Sequence, residues 1–166
     1  LRGQNNVQGA SDSGLIPIAY PDYQRVNTPE ARARFEKLWK TELDPDIGLT
    51  VVEIMNAAKK HEIRGMYIMG ENPAMSDPDV DHAREAMAAL DHLVVQDIFL
   101  TETAKLAHVV LPAASSAEKD GTFTNLERRL QELRRAEEPH GESRADWDIL
   151  QTIAMKMGSQ MHYASA

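Results

Sequence analysis

Cysteine is absent from all 166 residues. That removes disulfides and every thiolate ligand, so this stretch of chain holds no iron–sulfur cluster and no cysteine-bound zinc. No apolar run approaches the roughly 20 residues that a helix needs to cross a bilayer. No basic start followed by an apolar stretch suggests a secretory leader. The expectation is therefore a cytoplasmic chain without membrane insertion. Basic residues are outnumbered, 18 against 26 acidic, for a formal net charge of −8. Nucleic acid is a poor partner for such a surface, because phosphate neutralisation needs a basic face. Neither Gly-x-Gly-x-x-Gly nor a Walker-type phosphate loop occurs, which argues against a freestanding nicotinamide domain or a P-loop enzyme. The histidines, at 61, 82, 92, 108, 140 and 162, lack paired ligand spacing, so no metal site is expected within the chain. Ser115-Ser116 lacks the glycines of a nucleophile elbow, which leaves hydrolase chemistry unsupported.

What is present reads as alternating strands and helices. Residues 1–27 are rich in Gly, Asn, Gln, Ser and Pro, and are expected to form an ordered loop or short turns. The start, Leu1-Arg2-Gly3, sits directly in polar loop sequence, as though the chain were cut from a longer protein. Thr28-Pro29-Glu30 predicts a helix start, with Phe35, Leu38 and Trp39 on one face. Thr50-Val51-Val52-Glu53 reads as a capping box opening a second helix with Val51, Ile54, Met55 and Ala58 on one side. Strands are expected at 65–69, 93–97 and 108–111, the first two buried on both faces, with a helix over 79–90. Residues 112–125 read as glycine and polar connection, followed by charged extended chain. Asp146 is expected to cap a last helix, which Gly158 stops. Short apolar strands alternating with amphipathic helices predict a parallel, helix-covered sheet.

In such sheets a ligand sits beyond the carboxyl ends of the strands. Here the strands run into Gly70-Glu71-Asn72-Pro73, into 96–103 and into 114–125, all rich in carboxylates, amides and hydroxyls. These groups read a base edge and a ribose. A carboxylate pairs well with guanine, whose two adjacent N–H donors it can accept together. Helix capping and turn closure explain Thr101 and Ser76 equally well. For Asp97, Glu71 and Asn72, the position at a strand end favours a ligand.

Several blocks carry a resemblance to a known family. They are Leu-Arg-Gly-Gln-Asn-Asn-Val-Gln-Gly-Ala at 1–10, Tyr-Ile-Met-Gly-Glu-Asn-Pro at 67–73, Val-Val-Gln-Asp-Ile-Phe-Leu-Thr-Glu-Thr-Ala at 94–104 and Val-Val-Leu-Pro-Ala at 109–113. Glu118-Lys119, Gly121-Thr122-Phe123-Thr124-Asn125 and Glu127-Arg128-Arg129 complete the set. Together and in this order they resemble the molybdopterin oxidoreductase (DMSO reductase) superfamily, and within it the central segment of the formate dehydrogenase large subunit. The resemblance implies a three-layer α/β fold, with a mostly parallel Rossmann-like sheet and helices on both faces. It also implies an organisation in which residues 1–27 lead in from an upstream domain and 28–166 form the molybdopterin-dinucleotide-binding domain.

The same resemblance implies a molybdenum or tungsten atom held by two molybdopterin guanine dinucleotides, shared with other domains. The metal-ligating residue and a 4Fe-4S cluster would lie elsewhere in the subunit. Arg2 matches the family arginine beside the metal, where its guanidinium would orient formate through charge-assisted hydrogen bonds. Gln4, Gly70, Glu71, Asn72, Ser76 and Gln96 match positions that contact the dinucleotide, and Asp97 and Thr101 are their neighbours. The implied activity is oxidation of formate to carbon dioxide in the full subunit, the segment alone being inactive. The implied partners are the subunit's other domains and iron–sulfur or flavin electron-transfer subunits. Ser11, with Leu15-Ile16-Pro17, departs from the cysteine of many relatives and resembles the soluble NAD-linked formate dehydrogenases. His108 stands where an aspartate is common. The alternatives are a sibling such as a nitrate reductase, which the block at 1–10 disfavours, or a non-catalytic α/β folding or interaction module.

Overall fold

A computed structural model of the chain describes residues 4–166, so Leu1, Arg2 and Gly3 lie outside the described residues. In chain order the elements are α1 (Val7–Asp12), β1 (Ala19–Tyr20), β2 (Gln24–Arg25), α2 (Pro29–Trp39), α3 (Val51–Lys59), β3 (Gly65–Met69), α4 (Pro73–Ser76), α5 (Val80–Ala88), β4 (His92–Asp97), β5 (Val109–Pro112), β6 (Gly121–Thr124), β7 (Leu130–Leu133) and α6 (Asp146–Lys156). Contacts divide them into two units. One comprises residues 1–50 and 122–132, the other 51–121 and 133–166, so residues 28–50 group with the amino-terminal stretch.

The first unit holds more structure than its composition suggested. Residues 7–12 form α1, although none of its residues is buried. Hydrogen bonds to distant chain hold this helix in place of a core. The Asn6 side chain accepts from Thr124 N–H at 2.9 Å, and Asp12 pairs with Arg128 at 3.3 Å. The extended chain expected after residue 125 is a β6–β7 hairpin. The unit's core is aromatic. Phe35 packs on Tyr20 at 4.8 Å and on Trp39 at 4.9 Å between ring centroids, while Leu38, expected on that face, is exposed.

The second unit carries a parallel sheet of order β3-β4-β5. Alternation along the strands sends Ile68, Leu93 and Val95 to one face, where they bury against Met55 and Ala58 of α3 and Ala83, Ala86 and Met87 of α5. Three of those five helical residues are alanine, which keeps the helices close to the strands. The opposite face differs from the expectation of strands buried on both sides, since Tyr67 and Met69 of β3 are 40% and 41% exposed. Both belong to the half-period that points away from α3 and α5, where the sheet is only partly covered. At the amino-terminal edge, His108 has a packing role. Its Nδ1 accepts from Leu93 N–H at 2.9 Å and its ring stacks on His92. Asp146, expected as a cap, is the first residue of α6, and Ala145 stands at the cap position.

Candidate functional site at the strand ends

The register places the carboxyl ends of the three strands side by side. Met69 pairs with Gln96, and Gln96 with Leu111. Gly70 N–H donates to the Gln96 carbonyl at 2.9 Å, so the loops after β3 and β4 leave the sheet from one edge. Gly70 has φ +65°, a left-handed conformation that favours glycine, and the space a Cβ would occupy is open. Bare backbone is therefore accessible at the point where the two loops part.

Two polar networks hold this edge. In the first, the Asn72 Oδ1 accepts from Thr103 N–H at 3.1 Å and from the Thr103 hydroxyl at 2.8 Å. The same hydroxyl accepts from Ala74 N–H at 3.0 Å, while Asn72 Nδ2 donates to Glu102 at 2.8 Å. That donation, with a backbone N–H beside it, holds the Glu102 carboxyl below the usual carboxylate range. In the second, Gln96 is fully buried, and its amide accepts from the Tyr67 hydroxyl and donates to Asp146 at 2.6 Å. Asp146 also pairs with Lys119, from the loop after β5. Burial raises the Tyr67 phenol above its ordinary value, and the Asp146 charge raises it further. The third loop is closed by a capping box. Glu118 accepts from Ser115 N–H at 2.7 Å and from His140 N–H at 3.0 Å, and those bonds lower its carboxyl.

The edge thus gathers Gly70, Glu71, Asn72, Gln96, Asp97 and Thr101, with Ser76 exposed at the end of α4. Asp97 accepts from Phe99 N–H at 3.2 Å through one oxygen, and a carboxylate has further lone pairs to offer. Thr101 caps the turn after it, accepting from Ala104 N–H at 3.1 Å, and its hydroxyl keeps a proton to donate. Gln4 is exposed and belongs to the first unit, and Arg2 lies outside the described residues. Sequence reading missed Tyr67, Thr103 and Asp146. Strand alternation could have found Tyr67, which shares a face with Gln96. Nothing local marks Thr103 or Asp146. Hollows among the described residues include one of about 360 Å³ between α1 and the hairpin, one of about 410 Å³ between Val51, Met55, Asp77 and His82, and one of about 250 Å³ beside Glu118, Lys119 and Asp120. None of these is lined by Gly70, Glu71, Asn72, Gln96, Asp97 or Thr101, so the claim of those residues rests on convergence of polar groups at one edge rather than on enclosure. Among the described residues no cluster of three or more His, Asp or Glu is placed to hold a metal, and no helix is long and apolar enough to cross a membrane.

The family model described as molybdopterin oxidoreductase matches residues 3–156. The chain belongs to the molybdopterin oxidoreductase family. It is 58% identical over 158 residues to the F420-dependent formate dehydrogenase subunit alpha of Methanocaldococcus jannaschii, an alignment covering 95% of this chain and 23% of that subunit. It is 44% identical over 164 residues to a putative formate dehydrogenase of Bacillus subtilis, covering 99% of this chain and 17% of that protein. The chain therefore spans a quarter or less of the length of these relatives. Among solved structures, acetylene hydratase from Pelobacter acetylenicus superposes with a TM-score of 0.59 at 23% identity, over 64% of this chain and 15% of that one. That likeness shows the α/β fold. Membership in the family makes a molybdopterin the cofactor to be accommodated. The strand-end edge fits such a group, offering open backbone at Gly70, the Asp97 carboxylate and the Thr101 hydroxyl in one place.

Proposed function

We propose that this chain receives a molybdopterin guanine dinucleotide within the large subunit of a formate dehydrogenase, which oxidises formate to carbon dioxide at molybdenum or tungsten. The observation that carries the reading is the shared edge at which Gly70 meets Gln96, with Glu71, Asp97 and Thr101 around it. Identity of 58% to a formate dehydrogenase alpha subunit supports the choice of substrate. At the edge, Asp97 accepts the two adjacent N–H groups of guanine, and Thr101 donates its hydroxyl. Glu71, Ser76 and Gln4 add polar contacts to the dinucleotide. Asn72 and Gln96, whose side-chain amides are engaged within the protein, act by fixing the loops. Arg2 orients formate, since its planar fork matches both carboxylate oxygens. The bound cofactor supplies the two-electron chemistry, and the protein contributes position and electrostatics. Two pterins per metal, a 4Fe-4S cluster held elsewhere in the subunit, iron–sulfur or flavin partner subunits and a cytoplasmic location belong to the same proposal.

The test uses the intact subunit, purified and assayed for guanine nucleotide, for molybdenum and tungsten, and for formate-dependent dye reduction. All three are expected. A loaded subunit that leaves formate unoxidised would remove the assigned substrate, and absence of guanine nucleotide would remove the assigned cofactor. Arg2→Lys is expected to lower kcat/KM for formate by about 10- to 100-fold, the loss of roughly 1.5–3 kcal/mol of charge-assisted bonding. Undiminished turnover at low and high formate would end the role given to Arg2.

A further inference from the structure

Thr103 has no place in the reading above, yet it is fully buried and bonded on every side. Its N–H and hydroxyl both donate to Asn72 Oδ1, at 3.1 and 2.8 Å, and the hydroxyl accepts from Ala74 N–H at 3.0 Å. Asn72 returns a bond to the same stretch of chain through Nδ2 and Glu102, at 2.8 Å. Its carbonyl meanwhile accepts from Met75 and Ser76 N–H, both at 2.9 Å, which turns the chain into α4. Four side-chain bonds thus join the loop after β3 to the loop after β4, beyond the point where the sheet ladder stops holding them. A carboxamide oxygen has two lone pairs, and both are occupied here. Asn72 Oδ1 has none left for a ligand.

We propose that Asn72 and Thr103 form a latch between the β3 and β4 loops. They are positioning residues, which fix Gly70, Glu71, Asp97 and Thr101 in a cofactor-ready arrangement without touching the cofactor. The inference rests on the proposed function for what is held, and on the hydrogen bonds alone for the holding. It differs from simple core packing in its chemistry. Valine matches threonine in volume but cannot donate to Asn72 or accept from Ala74, whereas serine keeps both bonds and lacks only a methyl group. Preorganised loops bind more tightly because less ordering remains to be done when the ligand arrives.

The experiment compares Thr103→Val, Thr103→Ser and Asn72→Ser in the intact subunit, with two readouts. Amide hydrogen exchange reports Ala74 and Thr103, whose N–H groups are bonded in the latch, with Val95 of β4 as the control. The second readout is the rate at which bound guanine dinucleotide is lost on dilution. Thr103→Val is expected to speed exchange at Ala74 and Thr103 about tenfold or more, with Val95 unchanged, and to release the cofactor about tenfold faster. Thr103→Ser is expected to match the parent in both. Asn72→Ser removes the acceptor of the Thr103 N–H and hydroxyl from a half-buried position, and is expected to speed exchange at Thr103 and cofactor loss as the valine variant does, which keeps the test usable if valine prevents folding. Equal behaviour of Thr103→Val and Thr103→Ser would overturn the latch, as would exchange that speeds at Val95 as much as at Ala74. A parent subunit that carries no guanine nucleotide would instead defeat the proposed function, and amide exchange would still decide the latch.

Discussion

Gln96 is a buried amide whose oxygen and nitrogen are each engaged, one by Tyr67 and the other by Asp146. Removing either partner leaves a buried polar atom unsatisfied, which costs more than the bond itself contributes. Tyr67 shows the arrangement electrostatically. Burial disfavours its phenolate, and the Asp146 carboxylate repels that charge, so its pKa stands above the ordinary 10.0. The folded state therefore holds the Tyr67 proton more tightly than the unfolded chain does. The stabilisation is fully present below pH 10.0 and is lost as pH climbs through the raised value. In a spectrophotometric titration of phenolate, a late-ionising component is expected among the tyrosines, and Tyr67→Phe should remove it. A curve unchanged by that substitution would mean that Tyr67 is not the late group. Tyr20 makes a useful contrast at this scale, because its buried hydroxyl has no hydrogen-bond partner among the described residues.

At the scale of whole elements, helix starts separate into capped and uncapped. The Asp79 side chain accepts from His82 N–H at 3.2 Å and caps α5, whereas Thr28 makes no side-chain cap bond to α2, which starts on proline. Asp79→Ala is expected to lower stability by about 0.5–2 kcal/mol, and Thr28→Ala by distinctly less. Chemical denaturation of the two variants checks this, and equal losses would show that the Asp79 bond does not govern the cap. These elements also show how far the sequence reaches. The strands at 65–69 and 93–97 were legible because apolar runs bounded by polar loops have few other meanings. Their common edge followed from the rule for parallel sheets, and the bond from Gly70 to Gln96 agrees with it. Helix α1 was not legible, since Asn6, Asp12 and their partners Thr124 and Arg128 are far apart in the chain. The exposed face of β3 escaped notice because a run such as Met-Tyr-Ile-Met reads as apolar on both faces, and only tertiary cover decides which side is wet. Thr103 was hidden for a similar reason: its partners, Asn72 and Ala74, come from another loop.

For the molecule as a whole, charge limits which end of a dinucleotide the edge can receive. The chain carries a net −8, and the strand-end loops include Glu71, Asp97, Glu102 and Glu118, while Lys119 is already paired with Asp146. A diphosphate set against those carboxylates would meet like charge, whereas a guanine base presents N–H donors to them. On the proposed function, the guanosine end is therefore the part that meets this edge. Asp97 offers the best-placed test, since it stands where β4 opens into its loop, and its other bond engages a single oxygen. Asp97→Asn keeps shape and size but replaces one acceptor with a donor, which would face a guanine N–H. The expected cost is about 1–3 kcal/mol, or roughly 5- to 150-fold in affinity for guanosine diphosphate. Adenosine diphosphate presents an acceptor at the corresponding ring nitrogen, so it should bind the parent weakly and gain from the new donor. The measurement is competition by the two nucleotides for the intact subunit freed of its cofactor, parent against variant. If guanine and adenine nucleotides compete in the same ratio before and after the substitution, Asp97 does not read the base. The carboxylate would then be left with its bond to Phe99, closing the turn at the end of β4.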